Sequence, residues 1–209
     1  MKFEKFESGK YTFPFIAIVS DNASDKPAII FQLHGAGERG KGTDDLDKVL
    51  VHGFPNLKEG IDKYDCVIVL PQCPEDSFWV AKIESINKFV DEMIKLYNGD
   101  ENRLYLCGLS MGGFGTWYTS MAYPNRFAAI APCCGGGMPW NADVLKVPIW
   151  MFHGAVDNVV LPSNTIDMYN ALKGKNENIK FDLYDGVGHD SWVKAFSEDL
   201  LKWMLSNTK

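Results

Sequence analysis

Residues 108–112 read Gly-Leu-Ser-Met-Gly, a Gly-x-Ser-x-Gly motif with Ser110 at its centre. The motif follows an apolar run at 103–107 that favours a strand, and it leads into helical spacing at 113–122. A serine on so tight a strand-to-helix turn has a strained backbone, an exposed hydroxyl and a following N–H that points at a substrate oxygen. The pattern is typical of a nucleophilic serine, which needs a base and an acid from elsewhere in the chain.

The base can be sought by elimination, because the chain has only four histidines. His189 alone follows both Ser110 and an aspartate at the end of an apolar run, Asp157. The order serine, aspartate, histidine is that of the α/β-hydrolases and differs from the orders in the chymotrypsin and subtilisin folds. The rival acids lie inside a predicted strand or too near the histidine in the chain to orient it. They are Asp182, Asp185 and Asp190.

Strand-like and helix-like segments alternate along the chain. Short apolar runs predict strands near 11–20, 28–34, 66–71, 103–107, 127–132, 148–153 and 179–184. Helical spacing occurs at 44–52, 82–97, 113–122, 162–173 and 191–205. This alternation predicts an α/β fold, a mostly parallel sheet with helices on both faces and functional groups at the carboxyl ends of the strands. A length of 209 residues favours one domain, spanning 1–209.

Composition restricts the partners, the cellular compartment and the cofactors that we expect. No stretch approaches the length of a membrane span, and the first residues lack the apolar region of a signal peptide. A net charge of −6 argues against nucleic acids and anionic membranes as partners. The five cysteines are too few and odd in number for a disulfide scaffold, so we expect reduced thiols and a cytoplasmic protein, monomeric or homodimeric. No Cys-x-x-Cys pair or His-rich spacing indicates a metal, and no motif indicates a cofactor.

Five motifs in order resemble the small esterases of the α/β-hydrolase superfamily. This group is labelled phospholipase/carboxylesterase, polyhydroxybutyrate-depolymerase-like esterase or predicted peptidase. The motifs are Leu-His-Gly-Ala-Gly-Glu-Arg-Gly at 33–40, Pro-Gln-Cys-Pro at 71–74 with Trp79 behind it, Gly-Leu-Ser-Met-Gly-Gly at 108–113, Phe-His-Gly-Ala-Val-Asp-Asn-Val-Val at 152–160 and Gly-His-Asp-Ser-Trp at 188–192. The similarity runs from about residue 27 to the end, and the sequence has no inserted segment that could form a lid domain.

The resemblance implies roles for further residues. The residue after His-Gly, Ala36, supplies a second oxyanion N–H in related esterases, beside the N–H of Met111 that the serine turn provides. His34 and His153 are expected to shape the oxyanion and acid loops by hydrogen bonding rather than to transfer protons. The cysteine pair 133–134 precedes three glycines, and we interpret that run as a loop beside the cleft.

Substrate-binding residues are the least constrained. Gln72 is expected to reach the acyl or alcohol pocket. Trp79 and Trp192 are candidates for the wall of the site, with core packing as the alternative for each. Trp192 is the better candidate because it lies three residues from His189.

The sequence therefore predicts a serine esterase with the triad Ser110, Asp157 and His189. Because no lid domain would cover the site, we expect this esterase to act on short-chain or accessible esters, such as acetyl or feruloyl groups on carbohydrates. A carbohydrate-directed esterase, a general short-chain carboxylesterase and a thioesterase stay open, as does a peptidase or amidase with the same triad. A non-catalytic binding protein of this fold is a further alternative, against which the complete set of catalytic residue types argues.

Overall fold

A computed structural model describes residues 1–57 and 60–209. Eight strands form one sheet in the order β1-β2-β4-β3-β5-β6-β7-β8. The strands are β1 (Lys2–Phe6), β2 (Phe15–Val19), β3 (Ala28–Leu33), β4 (Cys66–Pro71), β5 (Leu104–Leu109), β6 (Ala129–Cys133), β7 (Ile149–Gly154) and β8 (Ile179–Tyr184). The helices are α1 (Ile83–Tyr97), α2 (Met111–Ala122), α3 (Ser163–Leu172), α4 (Trp192–Ala195) and α5 (Glu198–Leu205).

The sheet is antiparallel at one edge and parallel elsewhere. Strand β1 pairs antiparallel with β2, and β2 pairs antiparallel with β4. From β4 through β3, β5, β6 and β7 to β8, every pair is parallel. The carboxyl ends of these six strands consequently meet along one edge, which confirms the predicted fold class and is where such sheets carry their functional groups.

Helices cover both faces of the sheet. Successive side chains of a strand point to opposite faces, so Phe31 packs in one apolar cluster and its neighbour Ile30 in the other. Helices α1, α2 and α3 supply the first cluster, and α4 and α5 contribute to the second. The strands that lie between are buried on both sides, which explains why the sequence shows them as continuous apolar runs.

The local sequence of helix α1 explains both which face of the helix is buried and where the helix ends. Its apolar stripe, Ile86, Phe89, Val90 and Met93, recurs at helical spacing and is buried against the sheet. Burial of each such side chain contributes about 1.5–3 kcal/mol. The helix ends where Asn98 adopts a left-handed conformation with φ of 50°, a conformation common just after the last turn of a helix.

Several element boundaries differ from the predicted ones. The sequence pattern missed β1, an edge strand of three charged and two aromatic residues that is largely exposed. The predicted helix at 44–52 is a shorter 3₁₀ segment, Leu46–Leu50. The predicted helix at 191–205 is broken, because Ser197 has extended backbone and its Oγ accepts a hydrogen bond from the N–H of Leu200, starting a new helix.

The five cysteines are buried free thiols, as predicted. Among residues 1–57 and 60–209, no helix is long and apolar enough to cross a membrane.

Candidate active site

Ser110 occupies the turn between β5 and α2, with φ of 53° and ψ of −118°. Such a conformation costs a non-glycine residue about 1–3 kcal/mol. Its N–H donates to the carbonyl of Cys133, which ties the turn to the neighbouring strand. A Cβ at Gly112 would lie 2.0 Å from the carbonyl oxygen of Leu33, so only glycine allows the helix to start this close to β3. The hydroxyl is thereby held at the carboxyl edge of the sheet.

The structure brings the three predicted triad residues together. Ser110 Oγ lies 2.9 Å from Nε2 of His189, and Nδ1 of His189 lies 2.7 Å from Oδ2 of Asp157. Because the carboxylate can only accept, Nδ1 carries the hydrogen and Nε2 is left to accept from the serine hydroxyl. The Asp157 side chain is fully buried, whereas that of His189 is 19% exposed toward the cleft. This arrangement can withdraw a proton from Ser110.

The loop after β7 holds Asp157 as an anion. Its Oδ1 accepts hydrogen bonds from the N–H groups of Val159 (2.9 Å) and Val160 (3.0 Å). Burial by itself raises the pKa of Asp157, but the hydrogen bonds from His189 and from these two N–H groups outweigh it and hold the pKa below its ordinary value. Asp157 is therefore charged at neutral pH.

A second histidine, the buried His153, also contacts the carboxylate of Asp157. Nε2 of His153 lies 2.9 Å from the carbonyl oxygen of Val160 and 3.3 Å from Oδ2 of Asp157. Since both oxygens are acceptors, Nε2 carries a hydrogen. On the other side of the ring, Nδ1 lies 2.7 Å from the hydroxyl oxygen of Thr165, which is also 2.8 Å from the carbonyl oxygen of Gly135. Burial lowers the pKa of His153, which favours the neutral ring and a positioning role.

His34 fixes the loop that passes in front of Ser110. Its Nδ1 donates to the carbonyl of Gly35 (2.6 Å), and its Nε2 accepts from the N–H of Cys73 (2.9 Å). Burial lowers the pKa of His34 to about 4, so the ring is neutral at pH 7. The Gly35 carbonyl and the Ala36 N–H point in opposite directions from one trans peptide plane. Holding the carbonyl against His34 therefore turns the Ala36 N–H away from the ring.

This loop comes within reach of the nucleophile. A Cβ built on Gly35 would lie 3.7 Å from Cβ of Ser110. Met111 is the first residue of α2, and the first N–H groups of a helix have no partner inside it. The structure thus places Gly35, which precedes Ala36, close to Ser110, and Met111 directly after it; the oxyanion role of the Ala36 and Met111 N–H groups stays a prediction.

Two predicted substrate-binding residues have other roles. Gln72 is fully buried, and its amide donates to the carbonyls of Glu38 and Asp45 while its Oε1 accepts from the N–H of Gly42. Trp79 is also fully buried, and its indole N–H donates to the carbonyl of His34 at 3.0 Å. Each side chain holds a loop through these hydrogen bonds, and substrate contact by either residue stays a prediction.

Trp192 lies where the sequence predicted a wall of the site. Its ring meets the ring of His189 edge-on, with centroids 5.2 Å apart, and lies 5.3 Å from the ring of His52. It is partly exposed, so it stays a candidate for substrate contact.

The adjacent cysteines, Cys133 and Cys134, are buried free thiols that lie behind the serine and not in the cleft. Cys133 is fully buried, and that burial raises its pKa well above the ordinary value, so it is a thiol and not a thiolate. The Sγ of Cys134 accepts a hydrogen bond from the N–H of Ser110 at 3.3 Å. Both residues support the serine turn.

Sequence reasoning missed Thr165 and Glu38. Thr165 lies in the first turn of α3, where nothing in its spacing distinguishes it from a helix-start threonine. Glu38 lies within the motif at 33–40, where its type and spacing indicate no separate role, yet its carboxylate lies between Nδ1 of His34 (4.0 Å) and Nε2 of His52 (3.9 Å).

The chain has clear relatives among known proteins. A family model described as phospholipase/carboxylesterase matches residues 62–204. A bifunctional acetylxylan esterase/xylanase from Neocallimastix patriciarum is 38% identical over 108 residues, which cover 51% of this chain and 14% of that protein. Feruloyl esterase B from Neurospora crassa is 30% identical over 128 residues, which cover 56% of this chain and 42% of that protein.

The fold likewise matches solved structures. The crystal structure of a thermostable esterase superposes with a TM-score of 0.81 and 27% identity, covering all of this chain and 63% of that one. The chain accordingly spans less than two thirds of the length of each of these three proteins.

Proposed function

The chain belongs to the phospholipase/carboxylesterase family of α/β-hydrolases, and we propose that it hydrolyses short or accessible carboxylic esters with Ser110 as nucleophile. The observation that carries this proposal is the hydrogen-bonded series from Ser110 through His189 to Asp157, with distances of 2.9 and 2.7 Å. A serine on a strained turn, a base in hydrogen-bond reach and a buried, charged acid are the parts that acyl transfer needs.

In the first half of the reaction, Nε2 of His189 takes the proton of Ser110 as the serine oxygen bonds to the ester carbonyl carbon. Asp157 keeps the imidazole in the required tautomer and stabilises the imidazolium that forms. The protonated His189 then gives its proton to the alkoxide as the bond between carbon and leaving oxygen breaks, and an acyl-enzyme is left. A water molecule, activated by the same histidine, attacks the acyl carbon and releases the acid.

The negative charge on the tetrahedral oxygen needs donors that are already in place. We assign these to the N–H groups of Met111 and Ala36, each worth about 3 kcal/mol of the barrier. His34 serves as a positioning residue, because it holds the carbonyl of the peptide that carries the Ala36 N–H, and Trp79 holds the preceding peptide through the His34 carbonyl.

The alcohol half of the ester must lie next to His189, which protonates it. The aromatic ring of Trp192 forms one side of that position. A flat aromatic surface beside polar groups suits a sugar, and the acetylxylan and feruloyl esterases among the relatives are named for esters of carbohydrates or plant acids. We therefore favour a carbohydrate ester as substrate.

The test compares three acetyl donors that differ only in the leaving atom: p-nitrophenyl acetate, p-nitrophenyl thioacetate and p-nitroacetanilide. The proposal predicts that kcat/KM is highest for the oxygen ester and that folded Ser110→Ala loses the activity. A preference for the anilide would make the protein an amidase, and a preference for the thioester a thioesterase. No turnover of any donor by the folded wild-type protein would contradict the proposal.

A further inference from the structure

One oxygen of the Glu38 carboxylate is buried beside the nucleophile without a hydrogen-bond partner. Glu38 ends the 3₁₀ turn Ala36–Glu38 that follows β3, and its side chain is 13% exposed. Its Oε2 accepts no hydrogen bond from residues 1–57 and 60–209. A Cβ built on Gly35 would lie 3.1 Å from this oxygen and 3.7 Å from Cβ of Ser110, so the carboxylate and the serine border the same small space. Buried acceptors without a partner are uncommon in folded proteins, so the donor that satisfies this one comes from outside the protein.

The two nearby histidines do not supply that donor. Nδ1 of His34 lies 4.0 Å from Oε2 and already donates to the carbonyl of Gly35. Nε2 of His52 lies 3.9 Å from the other carboxylate oxygen, Oε1, which is beyond hydrogen-bond distance. In the described part of the chain, the carboxylate thus makes no hydrogen bond that holds the loop. Its negative charge nevertheless lies near the place where the oxyanion of the proposed reaction forms, and a purely structural residue would not need that charge.

A continuous line of side chains joins Glu38 to the catalytic base. The ring of His52, next to Glu38, lies 5.3 Å from the ring of Trp192, which in turn lies 5.2 Å from the ring of His189. The indole N–H of Trp192 is also buried and has no partner among the residues that the structure describes. We call these three side chains, Glu38, His52 and Trp192, the Glu38 wall. It carries one acceptor and one donor that the fold leaves unpaired.

The Glu38 wall lies on the side of the alcohol half of the ester. In the proposed reaction His189 gives its proton to the leaving oxygen, so the alcohol leaves from the side of the tetrahedral carbon that faces His189. Trp192 and His52 continue that side as far as Glu38. A substituent on the alcohol, close to the ester oxygen, therefore comes next to the unpaired atoms of the wall.

Resting on the proposed esterase function, we propose that Glu38 is a specificity-determining residue that binds a free hydroxyl on the alcohol half, close to the ester oxygen, as in the monoester of a 1,2-diol. A carboxylate can only accept, so the group that satisfies Oε2 must be a donor. A hydroxyl both donates and accepts, so hydroxyls match the acceptor of Glu38 and the donor of Trp192. An ammonium group also donates to Glu38 but cannot accept from Trp192, which favours the hydroxyl.

The experiment measures kcat/KM of the full chain for 2-hydroxyethyl acetate and propyl acetate, which have the same length and differ by a hydroxyl in place of a methyl group. We expect about a tenfold preference for the hydroxy ester, because its hydrogen bond has a charged acceptor. Glu38→Met removes both carboxylate oxygens at a similar side-chain length and should bring the ratio to about one. Glu38→Gln keeps a neutral acceptor and should give an intermediate ratio.

The Glu38 variants should change the ratio through the hydroxy ester alone. Turnover of propyl acetate should stay the same or rise, because the removed charge no longer opposes the oxyanion. The matched control is Glu177→Gln. Glu177 is exposed just before β8, at the edge of the sheet opposite the triad, and its replacement should leave the ratio unchanged.

An unchanged ratio in folded Glu38→Met would overturn the inference and leave the esterase function intact. So would an equal loss for both esters, which would make Glu38 a positioning residue for the oxyanion loop. A third ester, 2-(dimethylamino)ethyl acetate, has an ammonium that donates but cannot accept. It should be turned over more slowly than the hydroxy ester, and the opposite order would contradict the assignment of a hydroxyl.

Absence of turnover for all three esters would instead count against the esterase function. Saturation-transfer NMR with folded Ser110→Ala then tests the Glu38 wall without the reaction. Stronger transfer to 2-hydroxyethyl acetate than to propyl acetate, lost in Ser110→Ala/Glu38→Met, supports the inference. Equal transfer to the two esters refutes it.

Discussion

Replacing His34 with alanine tests whether a buried neutral imidazole sets the direction of an oxyanion donor. The ring joins the carbonyl of Gly35, at 2.6 Å, to the N–H of Cys73, at 2.9 Å. Without the ring, both backbone groups are left without their partner in a buried site. The peptide between Gly35 and Ala36 then loses the contact that fixes its orientation, and with it the direction of the Ala36 N–H.

The expected magnitudes follow from these two hydrogen bonds. Each buried group left without a partner costs about 1–3 kcal/mol, so the free energy of unfolding should fall by about 2–6 kcal/mol. Loss of one oxyanion donor lowers kcat about 100- to 1,000-fold. KM should change little, because the donor stabilises an oxygen charge that exists only in the transition state.

The assay is steady-state hydrolysis of p-nitrophenyl acetate, at a temperature where urea titration shows His34→Ala to be folded. Trp79→Phe is the matched control, since it removes the indole hydrogen bond to the His34 carbonyl but keeps the imidazole in place, and its loss of kcat should be smaller. A folded His34→Ala with kcat within threefold of wild type would refute the reasoning. So would a loss confined to KM.

Asp157→Asn should lower kcat for p-nitrophenyl acetate about 10,000-fold with the fold intact, because an amide favours the wrong tautomer of His189, and stopped-flow assays of the folded variant measure this; a loss under tenfold would contradict the assigned role. Acid should destabilise the protein, since burial lowers the pKa of His34 from 6.5 to about 4 and also lowers that of His153. Below pH 6.5 the unfolded chain binds protons that the folded protein does not. The free energy of unfolding should therefore fall between pH 6.5 and 4, by about 3 kcal/mol from His34 alone. Urea titrations across that range measure the slope, and greater stability at pH 4 than at pH 7 would be inconsistent with buried neutral histidines.

The triad was predictable because topology leaves few alternatives. In a parallel sheet the strand ends share one edge, so a serine after β5, an aspartate after β7 and a histidine after β8 must lie near one another. The close approach of the last two segments also has a sequence signal. A Cβ at Gly154 would lie 2.1 Å from the carbonyl oxygen of Gly188, so glycine permits the histidine loop to pack against the end of β7.

The direction of a side chain at a loop was not predictable. Gln72 and Trp79 stand next to the predicted cleft in sequence, yet both turn inward to satisfy backbone groups of the loop between β3 and the first 3₁₀ turns. Spacing identifies the neighbourhood of a residue but not which polar groups compete for its hydrogen bonds.

The break between α4 and α5 occurs at a residue that can either continue one helix or cap the next. Apolar spacing continues across 191–205, but Ser197 has extended backbone and caps the second helix with its hydroxyl instead of extending the first. The result leaves Trp192 on a short helix of its own, beside His189.

Covalent labelling tests the central claim, that Ser110 is the nucleophile of this site. A fluorophosphonate loses fluoride when the serine oxygen bonds to phosphorus, and the adduct is stable enough for mass mapping. The wild-type protein should gain one adduct, located on Ser110, and lose its activity in step. Ser110→Ala should gain none and be inactive while folded. An adduct on Cys133 or Cys134, or full esterase activity in Ser110→Ala, would contradict the claim.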